Sequence, residues 1–507
     1  MDMNVLFIYP EIPDTFWGLK YVLEFVSKKA EFPPLGLLTI ASMVPGSWCK
    51  RLVDMNVRSL TQQDLLWADY VFISAMYIQK SSAENVIKVC RAHGIKVVAG
   101  GPYFTTAVDD FSMIDHLVLG EAEITFPLFL EDLEKGCPKH VYTAQEKPDL
   151  SLTPVPDWDL INFHDYDSML VQYSRGCPYD CEFCDIVLLS GRRQRTKGTS
   201  QFLRELDVLY NRGWRSLVFI VDDNFIGAKF RVKEMLRELV VWMDHHGKPF
   251  HFFTEASVDL AEDEELMDLM ADAGFNNVFI GIETPNAGSL EEAGKAQNMR
   301  RDLLESVRII QRHGLEVMGG FIVGFDHDSE DIFDRQIEFI QSSGIIVAMV
   351  GLLEALTGTK LWKRLKEEGR LLCEASGNNT DGMLNFVPTM DKDTLIQGYR
   401  RVLETIYSPA AYYRRCITFL KVYNQRTVPR FGMPGIKAFF RSIWRIGIKN
   451  EGGFRRYYWL LLMRSLILKP RFFGEAVQTM IVGVHFRRTL LRYKETMEPT
   501  YLESVNR

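Results

Sequence analysis

The chain is 507 residues long, 47% hydrophobic and 25% charged, with a net charge of −7, a globular balance with length for two to four domains. No stretch of about 18 apolar residues runs free of charge, so no membrane-spanning helix is expected. Met1–Pro10 lacks the basic start and cleavage site of a signal peptide, and the eight cysteines do not make a disulfide framework, so a reducing cytoplasm is the expected setting.

Residues 1–135 read as a first module. Asn4–Tyr9 is a short apolar run ending at Pro10, the pattern of a buried strand. Pro33-Pro34-Leu35-Gly36 opens a helix through Met43. Arg51–Asp54 and Tyr70–Ser74 are further strands. Ser82–His93 is helical, with Gly94 as its stop signal. Lys96–Ala99 is a fourth strand and His116–Leu119 a fifth. Strands alternating with helices predict an α/β fold with a doubly wound parallel sheet, whose ligands bind beyond the carboxyl ends of the strands. Those ends are Asp54-Met55-Asn56, Ser74-Ala75-Met76, Gly100-Gly101-Pro102 and Gly120-Glu121.

Residues 136–161 carry Pro138, Pro148, Pro154 and Pro156 with little periodicity and read as a linker. A second module spans 162–386. Its predicted strands are Leu170–Ser174, Ser216–Val221, Phe250–Thr254, Asn277–Ile282, Glu316–Val323 and Ile346–Leu352. Helical stretches such as Thr199–Asn211, Arg231–His245, Asp263–Ala273 and Arg300–His313 separate them. Six βα units predict a partial (β/α)6 TIM-like barrel with its chemistry at the C-terminal rim.

After the first of these strands, Arg175-Gly176 turns the chain into Cys177-Pro178-Tyr179-Asp180-Cys181-Glu182-Phe183-Cys184. Three thiols at CxxxCxxC spacing can grip three irons of a [4Fe-4S] cluster, which normally takes four cysteines. The next cysteines along the chain are Cys137 and Cys373, so one iron would stay open to a non-protein ligand. The alternatives are three free thiols or a structural zinc site, which would want a fourth Cys or His at finger-like spacing.

The third module, 387–507, is predicted to be mostly helical and mixes aromatic with basic residues. Examples are Tyr412-Tyr413-Arg414-Arg415, Phe439–Arg445 and Phe454–Trp459, with Leu460–Met463 adding apolar mass. From Arg401 to Lys494 there are 19 Lys and Arg against Glu404, Glu451 and Glu475, a net of +16, leaving −23 for the rest. Helices with bases on one face and Trp, Phe and Leu on the other lie in membrane interfaces. The aliphatic runs favour that reading over nucleic acid, and no nucleic-acid partner is expected. An ordinary helical cap with a cationic outer face is the other reading.

The cysteine triad, Phe183 before its last member and the strand motifs resemble the radical S-adenosylmethionine (SAM) superfamily. The resemblance implies that the open iron chelates SAM. It assigns the SAM site to Phe183; to Asp222, Asp223 and Asn224, where the family often has Gly-Gly-Glu; to Glu255 and Ser257; to Glu283; and to Gly320 and Val323 of the GxIxG-like fifth strand. Arg195 or Lys197 would either neutralise the SAM carboxylate or the cluster, or lie on a solvated face.

The Gly-Gly-Pro and Gly-Glu-Ala-Glu marks of the first module resemble the cobalamin-binding domain of one large subclass. This implies cobalamin on Asp54, Met55, Asn56, Ser74, Met76, Gly100, Gly101, Pro102, Gly120 and Glu121. Asn56 stands where many cobalamin proteins carry the cobalt-binding His, which leaves the lower face of cobalt without a protein ligand. Within the subclass, Cys181–Ile186, Val221–Gly227 and Gly320–Asp326 look like the group containing hopanoid C-2 methylases.

The implied activity is methylation of an unactivated carbon of a lipid or isoprenoid, with one SAM methylating cobalamin and a second cleaved at the cluster. The two cofactors would have to face one cavity. The implied setting is cytoplasmic, peripheral on the inner membrane face, with a flavodoxin, ferredoxin or reductase as electron donor. The alternatives are rearrangement, cyclisation or oxidation of a small soluble metabolite.

Overall fold

A computed structural model describes residues 3–16, 18–107, 111–426 and 433–505. Arg430 and the side chain of Lys494, both counted in the basic stretch, lie outside the described residues. Two six-stranded parallel sheets follow one another along the chain.

The first sheet contains β1 (Asn4–Tyr9), β2 (Cys49–Asp54), β3 (Tyr70–Ser74), β4 (Lys96–Gly100), β5 (His116–Val118) and β6 (Val141–Tyr142), in the order β2-β1-β3-β4-β5-β6. Its middle strands are apolar on both sides because both faces are covered. Leu6, Ile8, Val71, Ile73 and Val97 pack into one core. Val5, Phe7, Phe72, Val98 and Val118 pack into the other. The strand order reverses between β1 and β3, which opens a crevice beyond their carboxyl ends. Two elements escaped the pattern of the sequence. Val141–Tyr142, in the stretch read as a linker, pairs with β5. Lys20–Val26 is a helix, and the helix expected through Met43 ends at Ala41.

The second sheet begins with β7 (Met169–Val171). A short antiparallel ribbon of β8 (Ser174–Arg175) and β9 (Arg195–Thr196) then brackets the cysteine loop. The sheet continues with β10 (Leu217–Ile220), β11 (His251–Ala256), β12 (Phe275–Glu283), β13 (Glu316–Val323) and β14 (Ala348–Leu352), in the order β14-β13-β12-β11-β10-β7. Strands alternate with helices such as Thr199–Asn211, Lys229–His245 and Glu264–Ala273. The barrel is open, since β7 and β14 are the two ends of that order. Beside β7 runs a piece of the N-terminal module: Ala30 bridges Tyr166 in parallel, and Phe32 packs on Phe219 and Phe253, centroids 5.5 and 6.3 Å away.

The C-terminal helices include Lys392–Ile406, Pro409–Val422, Arg455–Leu468 and Phe473–Val505. They share one continuous core with the barrel. Tyr399 and Tyr407 donate to the carbonyls of Val350 and Ala348 on β14, at 3.2 and 2.5 Å. Arg415 is fully buried. It lies against the Tyr407 and Tyr412 rings and donates to the Ile406 and Ile346 carbonyls.

Candidate active site

The cysteine loop leaves the ribbon at Gly176, whose φ of +96° suits glycine; a Cβ there would lie 2.8 Å from the Arg193 carbonyl oxygen. Its N–H donates to the Asp223 carboxylate at 2.8 Å, so Asp223 fixes the entrance of the loop. Asn224 reaches the loop itself: its Nδ2 stands 3.9 Å from Cys177 Sγ and 3.1 Å from Ser257 Oγ. Asp222 turns the other way. It accepts from the Tyr173 N–H at 2.8 Å and the Ser174 hydroxyl at 2.6 Å, and burial pushes its carboxyl up to about 7. Both its oxygens are spent on the backbone hairpin behind the loop.

The far side of the loop is tied to the barrel rim. Glu182 N–H donates to the Ala293 carbonyl at 3.0 Å, and Leu361 N–H to the Glu182 carbonyl at 2.9 Å. The Glu182 carboxylate meets Arg364 at 2.6 Å, and the same guanidinium reaches Asp326 at 2.8 Å. Phe183 packs edge-on against Phe325 at 6.2 Å.

Glu283 sits at a register shift between β12 and β13 with φ +63°. Its carboxylate pairs with Lys295, which also donates to the Gly281 carbonyl at 3.0 Å. Burial disfavours the Lys295 charge, but Glu283 and the nearby Cys181 outweigh it and raise its proton affinity. Gly320 pairs with Gly281 across β12 and β13, where a Cβ would press on the Phe279 ring at 2.9 Å. Val323 is buried at the end of β13. Glu255 lies on β11, and burial, then the Asp223 charge, push its carboxyl up to about 7.

Burial pushes all three loop thiols up, so ligation there releases protons. Among the described residues no three Cys, His, Asp or Glu side chains converge on a single metal ion. A cubane asks for something else, one thiolate for each of three irons, and three thiols on one anchored loop fit it.

Between the two sheets lies a cavity of about 960 Å³. One wall is the crevice of the first sheet, with Met55, Asn56, Ser74 and Met76, the run Gly100-Gly101-Pro102, and Gly120-Glu121. The other wall is barrel interior, with Gln172, Phe219, Val221 and Asp223. Asp54 is not part of the wall. It sits beneath, accepting from the Asn56 backbone N–H at 2.9 Å and side-chain amide at 2.8 Å, and from the Tyr166 hydroxyl at 2.9 Å. Asn56 also accepts from the Ile12 N–H at 2.8 Å. No histidine belongs to the cavity wall among the described residues.

Ion pairs lock the two walls together. Arg175, the residue before the loop's turn, binds Glu121 at 2.8 Å and Glu123 at 2.8 Å. Arg195 binds Glu121 at 2.7 Å, and Lys197 pairs with Glu205. In the cationic run after the cysteines Arg192 and Arg193 are exposed, whereas the two candidate bases, Arg195 and Lys197, are matched to protein carboxylates. The Arg175–Glu123 pair, Lys295, Arg364 and Phe32 carry no motif, because their partners are distant in sequence.

Residues 171–340 match the Radical SAM superfamily, and residues 359–498 match a Domain of unknown function (DUF4070). An uncharacterised methyltransferase of Synechocystis sp. is 45% identical over 97% of this chain and 92% of its own length. The hopanoid C-2 methylase of Rhodopseudomonas palustris is 33% identical over 92% of this chain and 89% of its own. The chain belongs to the radical SAM superfamily, among its methyltransferases. The fold of this radical SAM methyltransferase is also that of OxsB, a cobalamin-dependent SAM radical enzyme solved with aqua-cobalamin: TM-score 0.63, 16% identity, covering 98% of this chain and 84% of that one. The radical SAM methyltransferase TsrM from Kitasatospora setae, solved with tryptophan and a SAM analogue, matches with a TM-score of 0.55 and 15% identity over 72% of this chain and 76% of its own.

Proposed function

We propose that this enzyme holds a [4Fe-4S] cluster on Cys177, Cys181 and Cys184, SAM beside it, and cobalamin on the strand tips of the first sheet, and that it methylates an unactivated carbon of a polycyclic or linear isoprenoid lipid. The observation that carries the reading is the single cavity walled by both sheets, which lets two cofactors and one substrate meet. Bound there, the three groups supply one-electron chemistry and a methyl group.

The chain's own residues bind, orient and exclude water. Asn224, which borders Cys177, and its partner Ser257 offer polar contacts to SAM, as do Glu255 and the Gly281–Gly320 pair of adjacent strands. Gly101 adopts φ +92° and ψ −179°, and a Cβ there would meet Ser74 Oγ at 2.5 Å; bare backbone at that tip admits a broad ring. Asn56 is engaged by Asp54 and Ile12 and no histidine lines the cavity among the described residues, so the strand tips would hold cobalamin without a protein imidazole. The barrel side of the wall sets Leu170, Phe219 and Val221 beside Gln172, Arg175 and Asp223, and its apolar part suits an apolar substrate; the 33% identical hopanoid C-2 methylase makes a hopanoid the first candidate.

The C-terminal helices would bring the enzyme to its lipid. Phe440, Trp444, Ile448, Trp459, Met463 and Ile467 are exposed there. Lys449, Arg455, Arg456, Arg464 and Arg471 have no carboxylate partner among the described residues. Other bases of the +16 stretch are already spent: Arg426 on Asp268, Arg445 and Arg488 on Glu24 and Glu451, and Arg415 in the core. Leu460 packs inward. No helix among the described residues is long and apolar enough to cross a membrane, so contact would be peripheral.

The test is anaerobic reconstitution with iron, sulfide, SAM, cobalamin and a pentacyclic triterpene. Mass spectrometry should find the triterpene heavier by one methylene. An enzyme that cleaves SAM but returns the triterpene unmethylated, while altering a water-soluble metabolite, would end the lipid reading.

A further inference from the structure

The cavity wall is well matched internally, with an exception on the stretch Lys29–Pro34. Of its charged side chains, Glu121 and Glu123 are held by Arg175, Lys197 and Glu205 by each other, and Asp223 by the Gly176 N–H. Lys20 and Asp14 pair at 2.7 Å, and Lys29 and Asp165 at 3.0 Å. Apart from the exposed Glu11, that leaves Glu31. It lines the cavity, is only partly covered, and has no side-chain hydrogen bond or ion pair among the described residues.

Its place is fixed by backbone. Asp167 N–H donates to the Ala30 carbonyl at 3.1 Å, and Ser168 N–H to the Glu31 carbonyl at 3.0 Å. The next residue, Phe32, anchors on Phe219 and Phe253 inside the barrel. A carboxyl thus stands on anchored backbone beside an aromatic wall, with no bonding partner for its side chain among the described residues. Its carboxyl is met by solvent in the cavity, and a ligand that displaces that water keeps its affinity only by returning the hydrogen bonds.

We infer that Glu31 is the polar anchor of the substrate: its carboxyl bonds a hydroxyl carried by an otherwise apolar skeleton and so sets which carbon faces the cofactors. The inference rests on the lipid reading above for the skeleton, and on Glu31 alone for the hydroxyl. Burial, then the Asp167 charge beside it, hold the Glu31 carboxyl well above the usual range. A carboxyl accepts a hydrogen bond from a hydroxyl in either protonation state and returns one when protonated.

Equilibrium dialysis of the full-length, cofactor-loaded protein tests this with two probe sets: decane, decanol and decylamine; and a pentacyclic triterpene with its alcohol. Wild type should hold decanol about tenfold tighter than decane, one hydrogen bond to a charged or acidic group. Glu31→Gln should keep that preference and Glu31→Leu should lose it, with cobalamin content and unfolding midpoint unchanged in both. An alcohol preference surviving in Glu31→Leu overturns the inference. So does decylamine outbinding decanol, with Glu31→Gln as impaired as Glu31→Leu. If the decanol pattern holds but no triterpene binds, the anchor stands and the triterpene reading falls. If triterpenes bind without regard to their hydroxyl, the reading stands and the anchor falls. If neither set binds, both fall.

Discussion

Removing one thiol from the proposed three-thiolate site should do more than weaken it, because each thiolate would serve a different iron. Cys184→Ala should therefore lower iron from about four per chain and abolish reductive SAM cleavage, while far-ultraviolet circular dichroism stays as in wild type. Retained cleavage would contradict the assignment of the loop. The residues around the triad divide by what they already bond. Asn224 faces Cys177 and bonds Ser257, whereas Asp222 is consumed by Ser174 and Tyr173. Residues two apart thus take opposite tasks, which strand alternation would forbid, because β10 has ended at Ile220.

Elements set what those residues can do. The turn after β4 depends on Gly101, whose φ and ψ fall in a region that is nearly glycine-only. Gly101→Ala adds backbone strain of about 1–3 kcal/mol and a clash with Ser74 Oγ. Urea denaturation should show lower stability, and gel-filtered protein should retain less cobalamin.

At the other end of the barrel, two carboxyls from different modules feel each other's charge. Glu316 opens β13 and accepts from Asn277 at 3.0 Å; burial pushes it up to about 7. Glu475 lies near the start of helix Phe473–Val505 and accepts from Gln425 at 2.7 Å; burial, then Glu316, push it up to about 8. Unfolded glutamates ionise near about 4.3, so between that pH and about 8 the folded state holds more protons. Stability must then fall as pH rises through this window and level off above it. The slope is at most about 1.4 kcal/mol per pH unit for each carboxyl. Melting curves from pH 6 to pH 9 should show the decline, and Glu475→Gln should flatten it; an unchanged slope would deny Glu475 its part.

The whole molecule behaves as more than three beads on a string. Tyr399, Tyr407 and Arg415 satisfy carbonyls at the barrel's last strand. Helix Lys20–Val26 of the first module packs on helices Met433–Ser442 and Phe473–Val505. Cutting the chain near Thr389 would expose this shared core, so a truncated protein should aggregate instead of reporting on membranes. Surface substitution is the sound test. In liposome co-sedimentation, wild type should bind anionic vesicles at low salt, and less as salt screens it. Phe440→Ser with Trp444→Ser and Ile467→Ser should bind at least tenfold more weakly, since interfacial burial is lost. Equal binding by the two proteins would move the lipid contact elsewhere.

Much of this was legible in the sequence, for a physical reason. Buried parallel strands must be apolar, so Asn4–Tyr9, Tyr70–Ser74 and Glu316–Val323 announce themselves. A cluster loop needs its thiols close in sequence, so CxxxCxxC is visible at once. Val141–Tyr142 stayed hidden because two residues are too few for a period, and Lys20–Val26 because its burial depends on helices more than 400 residues away. Arg175 with Glu123, Lys295 with Glu283, and the unmatched Glu31 could not be read from local pattern. A charge is spent or free only once folding has chosen its neighbours. The sequence by itself determined the two sheets, the thiol loop and the glycine tips, because those follow from short-range chemistry. Tertiary structure alone decided that the sheets share one cavity, which of its charges are neutralised, and that Glu31 is left facing it, because each depends on chain segments meeting across the junction.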